Sequence, residues 1–266
     1  MDASAKLTML TRIGFAARGL LYLTIAVLLI GTGRAESPSG ALRYLGEGAG
    51  RWLLVVVAAG LVAYGLWRLA DAVFDIERHG ANPKDQAKRL GAGASGVVHL
   101  FLAWQAIRLI RGTGSSGGSG PAEQGAQTAL TLPGGALMLV LAGAVLLGVG
   151  AYQLFKAVKG DFLRHLEPRI AHQPWAEWSG KLGYAARGIV FLISGGFLLG
   201  AGLQEQASQA GGMAQALSWL RSPWDLLVAV GLFGFGLFSL IEARYRMLHD
   251  VPVDGAVRRA ASKSPV

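Results

Sequence analysis

The sequence predicts an all-α integral membrane protein. Six transmembrane helices form a bundle of three parallel two-helix repeats about a pseudo-threefold axis, with short interfacial helices on the outer side. Three observations predict it. Of 266 residues, 52% are hydrophobic and only 15% charged, roughly ten percentage points below the charged share of a usual soluble domain. Six apolar runs reach membrane-spanning length. The segment GFAARGLLYL at 14–23 returns at 183–192 as GYAARGIVFL, with a weaker copy between them.

The runs are 13–30, 52–67 with an extension to 74, 90–110, 134–155, 182–203 and 224–241. A helix rises about 1.5 Å per residue, so about 20 residues cross roughly 30 Å of hydrocarbon. Polar extensions and tilt bring the shorter runs to that length. A soluble helical protein would show polar stripes at helical spacing. These runs are apolar all round, and Arg18 and Arg187 alone interrupt the first and fifth. Lys6 and Arg12 give the first run the look of a signal peptide, but GTGRA at 31–35 is a poor cleavage context and the later copy cannot be one.

Charge sets the orientation. The net charge is +9, and with six spans both chain ends and the second and fourth connections share one side. Nineteen of the 25 Lys and Arg lie there or just inside the helix ends. By the positive-inside rule that side is cytoplasmic. The expectation is a multi-pass protein of the cell's inner (plasma) membrane, both termini inside, its basic residues against anionic lipid headgroups. Nucleic acid is excluded as a partner, because no basic stripe carries interleaved stacking aromatics. The absence of cysteine rules out disulfides and thiol catalysis.

Self-comparison organises the chain. The first spans align as RIGFAARGLLYL (12–23), RLGAGASGVVHL (89–100) and KLGYAARGIVFL (181–192). The second spans align as GLVAYGLWRLADA (60–72), GVGAYQLFKAVKG (148–160) and GLFGFGLFSLIEA (231–243). Each outer connection carries an Ala-Leu signature (ALRYL, ALTLP, ALSWL) before Gly50, Pro133 or Pro223. These read as short interfacial helices, with Trp52, Trp219 and Trp224 near headgroup level. The repeats occupy 7–75, 88–162 and 180–246, and 247–266 reads as a disordered basic cytoplasmic tail. Each unit starts and ends on one side, so the repeats are parallel and their axis runs along the membrane normal.

The ARG motif, the outer ALxxL and the GLxxYxLW-type second helix resemble the bacterial membrane family catalogued as domain of unknown function 1206, over about residues 7–246. The middle copy departs from it: Ser95 stands where the arginines stand, and Gln153 replaces a glycine. The family has no established activity, so the resemblance implies architecture only.

An arginine at mid-membrane costs about 3 to more than 10 kcal/mol. Arg18 lies six residues beyond Arg12, about 9 Å deeper along a helix. Snorkelling lowers the penalty, and a carboxylate partner lowers it further. Asp71 returns on the second span of the first repeat and Glu242 on that of the third; in the middle copy the arginine becomes Ser95 and the acid Lys159. The expectation is therefore two intra-repeat ion pairs, Arg18–Asp71 and Arg187–Glu242, with the planar guanidinium holding each carboxylate.

His99 is the internally placed titratable group without such a clasp. With Ser95, Gln105 and Gln153 it forms a candidate polar seam. Glycines at Gly196, Gly200, Gly143, Gly148, Gly150, Gly231, Gly234 and Gly236 are expected to let helices approach closely. GAGASG at 91–96 matches a dinucleotide fingerprint, but no strand precedes it and a span follows. His79, His165, His172 and His249 lack metal-ligand spacing. No nucleophile elbow or phosphate loop occurs. No enzyme activity, cofactor or metal is expected. Two function classes remain. The leading one is a small channel or transporter-like passage protein, favoured by the repeats and His99. The alternative is a non-transporting component that binds lipid or steadies an unidentified membrane protein partner.

Overall fold

The computed structural model describes residues 3–47, 50–75, 82–113 and 121–247. The predicted tail beyond Met247, His79, His249, and much of the loops at 76–89 and 111–121 lie outside them. Among the described residues ten α-helices follow in order: α1 (Ala3–Thr32), α2 (Pro38–Gly46), α3 (Arg51–Phe74), α4 (Pro83–Ile110), α5 (Pro121–Leu130), α6 (Gly135–Lys159), α7 (Pro168–Ala171), α8 (Pro174–Leu203), α9 (Met213–Trp219) and α10 (Trp224–Tyr245). Among the described residues there is no strand, only a lone bridge between Leu166 and Arg246. Helices α1, α3, α4, α6, α8 and α10 are long and apolar enough to cross a membrane. Their boundaries follow local chemistry. Proline opens α2, α4 and α8, where its missing N–H costs nothing. Ser37 caps α2 by accepting from the Gly40 amide at 3.1 Å. Gly160 closes α6 in the left-handed conformation at φ 71°.

The predicted outer helices are present. In α2, Ala41, Leu42 and Leu45 are buried, and in α9, Ala216 and Leu217 are buried. Each thus presents one apolar face to the bundle.

The six long helices form a ring in which each repeat's first helix leans on the second helix of the repeat before it. α1 packs on α10, α4 on α3, and α8 on α6. One device makes all three contacts. A Cβ on Gly19, Gly96 or Gly188 would come 2.9–3.0 Å from the carbonyl oxygen of Gly236, Gly65 or Gly150. The repeat-equivalent Leu23, Leu100 and Leu192 fill the opposite side of each crossing. Without a side chain the backbones meet, and dispersion does what water cannot do in lipid. The third contact is out of register. Gly65 and Gly236 align with Gln153 in sequence, so α6 crosses α8 one turn away, at Gly150.

Arginines pin α3 to α4 at both ends. Arg51 donates to the Ile110 carbonyl at 2.7 Å, and Arg89 donates to the carbonyls of Ala72 and Val73 at 3.0 and 2.9 Å. At the end carrying both chain termini, residues 161–167 fold under the bundle. There Phe162 is buried against Tyr184 and Phe238, and Glu167 donates its amide to the Tyr245 carbonyl at 3.0 Å.

Within repeats one and three the two long helices also pack together, but α4 and α6 make no extended contact among the described residues. Burial shows the consequence. Leu21 and Val190 are 2% and 0% exposed, while the equivalent Val98 is 54% exposed. Tyr64 and Phe235 are 4% and 0% exposed, while Tyr152 is 49% exposed. The middle hairpin is splayed, and the ring opens sideways there.

The glycine expectation needs correction at three positions. A Cβ on Gly196 or Gly148 would meet nothing within 4 Å, and Gly200 faces only the Gln209 side chain. The GxxxG of α8 points away from the helix contacts. Gly143, Gly150, Gly231 and Gly236 do lie at close crossings, as does Gly234, where a Cβ would come 3.2 Å from the Ser179 carbonyl oxygen.

Candidate functional site

At mid-depth α1, α3, α4, α8 and α10 converge on two guanidinium groups. Arg18 is buried and fully committed. Its Nε donates to Ser239 Oγ at 3.1 Å, Nη1 to the Tyr64 hydroxyl at 2.8 Å, and Nη2 to Glu242 Oε2 at 2.5 Å. It lies over the rings of Phe15, Tyr64 and Phe235 at 4.5, 5.3 and 4.9 Å. The second oxygen of buried Glu242 accepts from Arg246 Nη1 at 2.5 Å.

Both expected intra-repeat pairs are corrected. Arg18 clasps Glu242 of the third repeat rather than Asp71 of its own. Asp71, fully buried, is met by Arg68 one turn earlier on α3, at 3.5 Å. Arg187 pairs with no carboxylate among the described residues. Its guanidinium lies over Tyr22, Phe191 and Phe235 at 5.4, 5.0 and 4.4 Å, and its buried Nε has no hydrogen-bond partner. The cause is the ring order. A first helix packs on the preceding repeat's second helix, and Arg18 finds its carboxylate there while also reaching the Tyr64 hydroxyl on its own. Ser95 therefore faces α3, where Arg68 supplies the charge that Asp71 needs. α8 crosses α6, whose register shift puts Gln153 and Lys156 at the positions that Ser239 and Glu242 take on α10, and the Arg187 guanidinium lies instead over rings of α1, α8 and α10. The joint replacement of arginine by Ser95 and of the acid by Lys159 therefore does not report a contact between those two columns within a repeat.

The polar seam does not assemble as one group. Ser95 and His99 meet on α4: the His99 Nδ1–H donates to the Ser95 carbonyl at 2.7 Å, which leaves Nε2 as an acceptor. The His99 ring lies 4.4 Å from that of Tyr64 and within electrostatic reach of Arg18, Arg187 and Arg68. Gln105 is half-buried farther along α4. Gln153 is buried on α6, which packs on α8 and not on α4.

Sequence reasoning missed Tyr64, Ser239, Arg246, Arg68 and Lys156. Lys156 lies 3.5 Å from the Tyr184 hydroxyl and 4.5 Å from its ring centroid. Repeat alignment puts Arg68, Lys156 and Ser239 in one column, and Arg246 follows Glu242 by one turn. That column was the available signal.

Above Arg187, toward the outer helices, a cleft of about 370 Å³ lies between α6 and α8 under α5. Leu139 and Leu146 of α6 and Val190, Phe191, Ser194 and Leu198 of α8 line its length. Phe191 belongs both to the cleft and to the cage around Arg187. The Ser194 hydroxyl is buried in this apolar wall without a hydrogen-bond partner.

Fold and site together define a multi-pass α-helical membrane protein of three two-helix repeats, closed by an inter-repeat ion cluster and open at its middle hairpin. The chain belongs to the family described as Domain of Unknown Function (DUF1206), whose model matches 13–75, 90–160 and 182–246. It is similar to the uncharacterized protein YxxB of Bacillus subtilis (strain 168), 28% identical over 248 residues, which cover 88% of this chain and 90% of that protein. No solved structure matches.

Proposed function

We propose that the protein is a non-enzymatic component of the bacterial plasma membrane that binds a membrane amphiphile in its lateral cleft. Its basic end faces the cytoplasm and its charges sit against anionic headgroups. The observation carrying this reading is a concave apolar cleft of ligand size on α6 and α8, on the helix α6 that the splayed middle hairpin leaves without contact to α4. The passage reading is less well supported. Conduction needs a continuous polar path, and beside the ion cluster around Arg18 the ring interior is filled by an apolar cluster that includes Tyr22, Ile25, Leu61, Leu102 and Phe235. Passage is favoured by the parallel repeats and by His99, whose Nε2 is an acceptor within electrostatic reach of three arginines.

Native mass spectrometry of the detergent-solubilised protein, beside a liposome flux panel of ions and small solutes, tests the choice. Retained lipid that is lost in Leu146→Trp, which fills the cleft, with flux no greater than in protein-free vesicles, supports amphiphile binding. Flux abolished by His99→Ala, with no lipid retained, overturns it.

A further inference from the structure

The three repeats place three versions of one charge site around the ring, and only one lacks an acid among the described residues. Opposite Arg18 stands Glu242; opposite Ser95, Asp71 is met by Arg68. At the matching positions on α6, set by the Gly150–Gly188 crossing, stand Gln153 and Lys156, a neutral amide and a second cation whose Nζ lies 3.5 Å from the Tyr184 hydroxyl one turn before Arg187. The groups here are unsatisfied. Arg187 Nε is buried without an acceptor, and Ser194 Oγ, two turns farther along α8, is buried without a partner. Gln153, buried on α6, brings no charge. The surrounding aromatic rings can face a cation but cannot neutralise it. The apolar cleft begins at Phe191, the residue beneath the Arg187 guanidinium.

We infer that the ligand is a single-chain carboxylic amphiphile, a long-chain fatty acid, whose carboxylate takes on Arg187 the place that the Glu242 carboxylate takes on Arg18. This rests on the amphiphile-binding reading above. The guanidinium fork accepts a carboxylate in two parallel hydrogen bonds, and Lys156 adds a second positive charge nearby. The hydrocarbon chain runs from Arg187 along Val190, Ser194 and Leu198 toward α5, about 16 Å of helix rise. A cleft of about 370 Å³ suits one chain rather than two. The head site also lies within the bilayer, which a fatty acid can enter in its neutral, protonated form, whereas a phosphodiester headgroup would have to enter charged. The chain enters between α4 and α6, where the ring is open.

The probes are palmitate, hexadecanol and phosphatidylglycerol, each titrated into the full-length protein in detergent, with retention read by native mass spectrometry and stability by thermal unfolding. Palmitate is expected to bind about tenfold to a hundredfold more tightly than the alcohol, the worth of a charge-assisted pair. Arg187→Gln should erase that difference. Lys156→Glu supplies an internal carboxylate at the Glu242 register, so it should abolish palmitate binding while raising the melting temperature. That second variant keeps the test open if Arg187→Gln fails to fold. Palmitate binding unchanged in both variants overturns the inference, and so does preferential retention of phosphatidylglycerol, although amphiphile binding would survive either. No amphiphile retained by the wild type removes both.

Discussion

Glu242 accepts from two arginines at once, Arg18 from another repeat and Arg246 from its own helix. Glu242→Gln leaves both cations with a neutral amide in a buried site. Breaking a buried pair from one side costs about 3–5 kcal/mol, so thermal unfolding in detergent should show Glu242→Gln among the most damaging single substitutions. A double-mutant cycle locates the partner: Arg18/Glu242 should show strong coupling, while Arg18/Asp71 should be near additive. Additivity for Arg18 with Glu242 would contradict the observed clasp. At this scale the sequence revealed which residues are charged within the membrane and why arginine needs a carboxylate. It did not reveal the partners, because pairing depends on which helices are neighbours around the ring. A repeat read alone suggests its own second helix.

At the scale of elements, one glycine position occurs in three environments. A Cβ on Gly60 would come 2.3 Å from Ala17 Cβ, and on Gly231 2.5 Å from Ala186 Cβ, but on the equivalent Gly148 it would meet nothing within 4 Å. Gly60→Leu and Gly231→Leu should force α1 from α3 and α8 from α10, each costing at least the ~1–3 kcal/mol of core overpacking. Gly148→Leu should leave the melting temperature near that of the wild type. Equal losses at all three positions would mean that the middle hairpin is closed. Here the length, number and composition of the spans were legible in the sequence, as were the outer helices with their buried Ala-Leu pairs. The register of α6 was not. Gln153 occupies a glycine column, and only the folded contact shows that the crossing then moves one turn to Gly150. Gly148 retained its residue type while losing its contact, so composition gave no warning of the opening.

Orientation and ring closure are properties of the whole molecule, and the absence of native cysteine makes both measurable. If the basic end faces the cytoplasm, Arg34→Cys should react with a membrane-impermeant maleimide in intact cells, while Arg169→Cys should react only after permeabilisation. The reverse pattern would invert the protein. Ring closure decides whether lipid reaches the cleft at all. Val98 and Val149 are exposed on α4 and α6, whereas their counterparts Leu21, Leu61, Val190 and Leu232 are buried between packed helices. Helices in contact sit about 8–10 Å apart, so one missing contact should lengthen a distance by roughly a helix diameter. Nitroxides on Val98→Cys and Val149→Cys, read by pulsed electron resonance in lipid nanodiscs, should therefore report a separation about 10 Å beyond that of a packed hairpin. A distance within packed range would close the ring, shut lipid from the α6–α8 cleft, and leave Arg187 with no route to an acid from the bilayer.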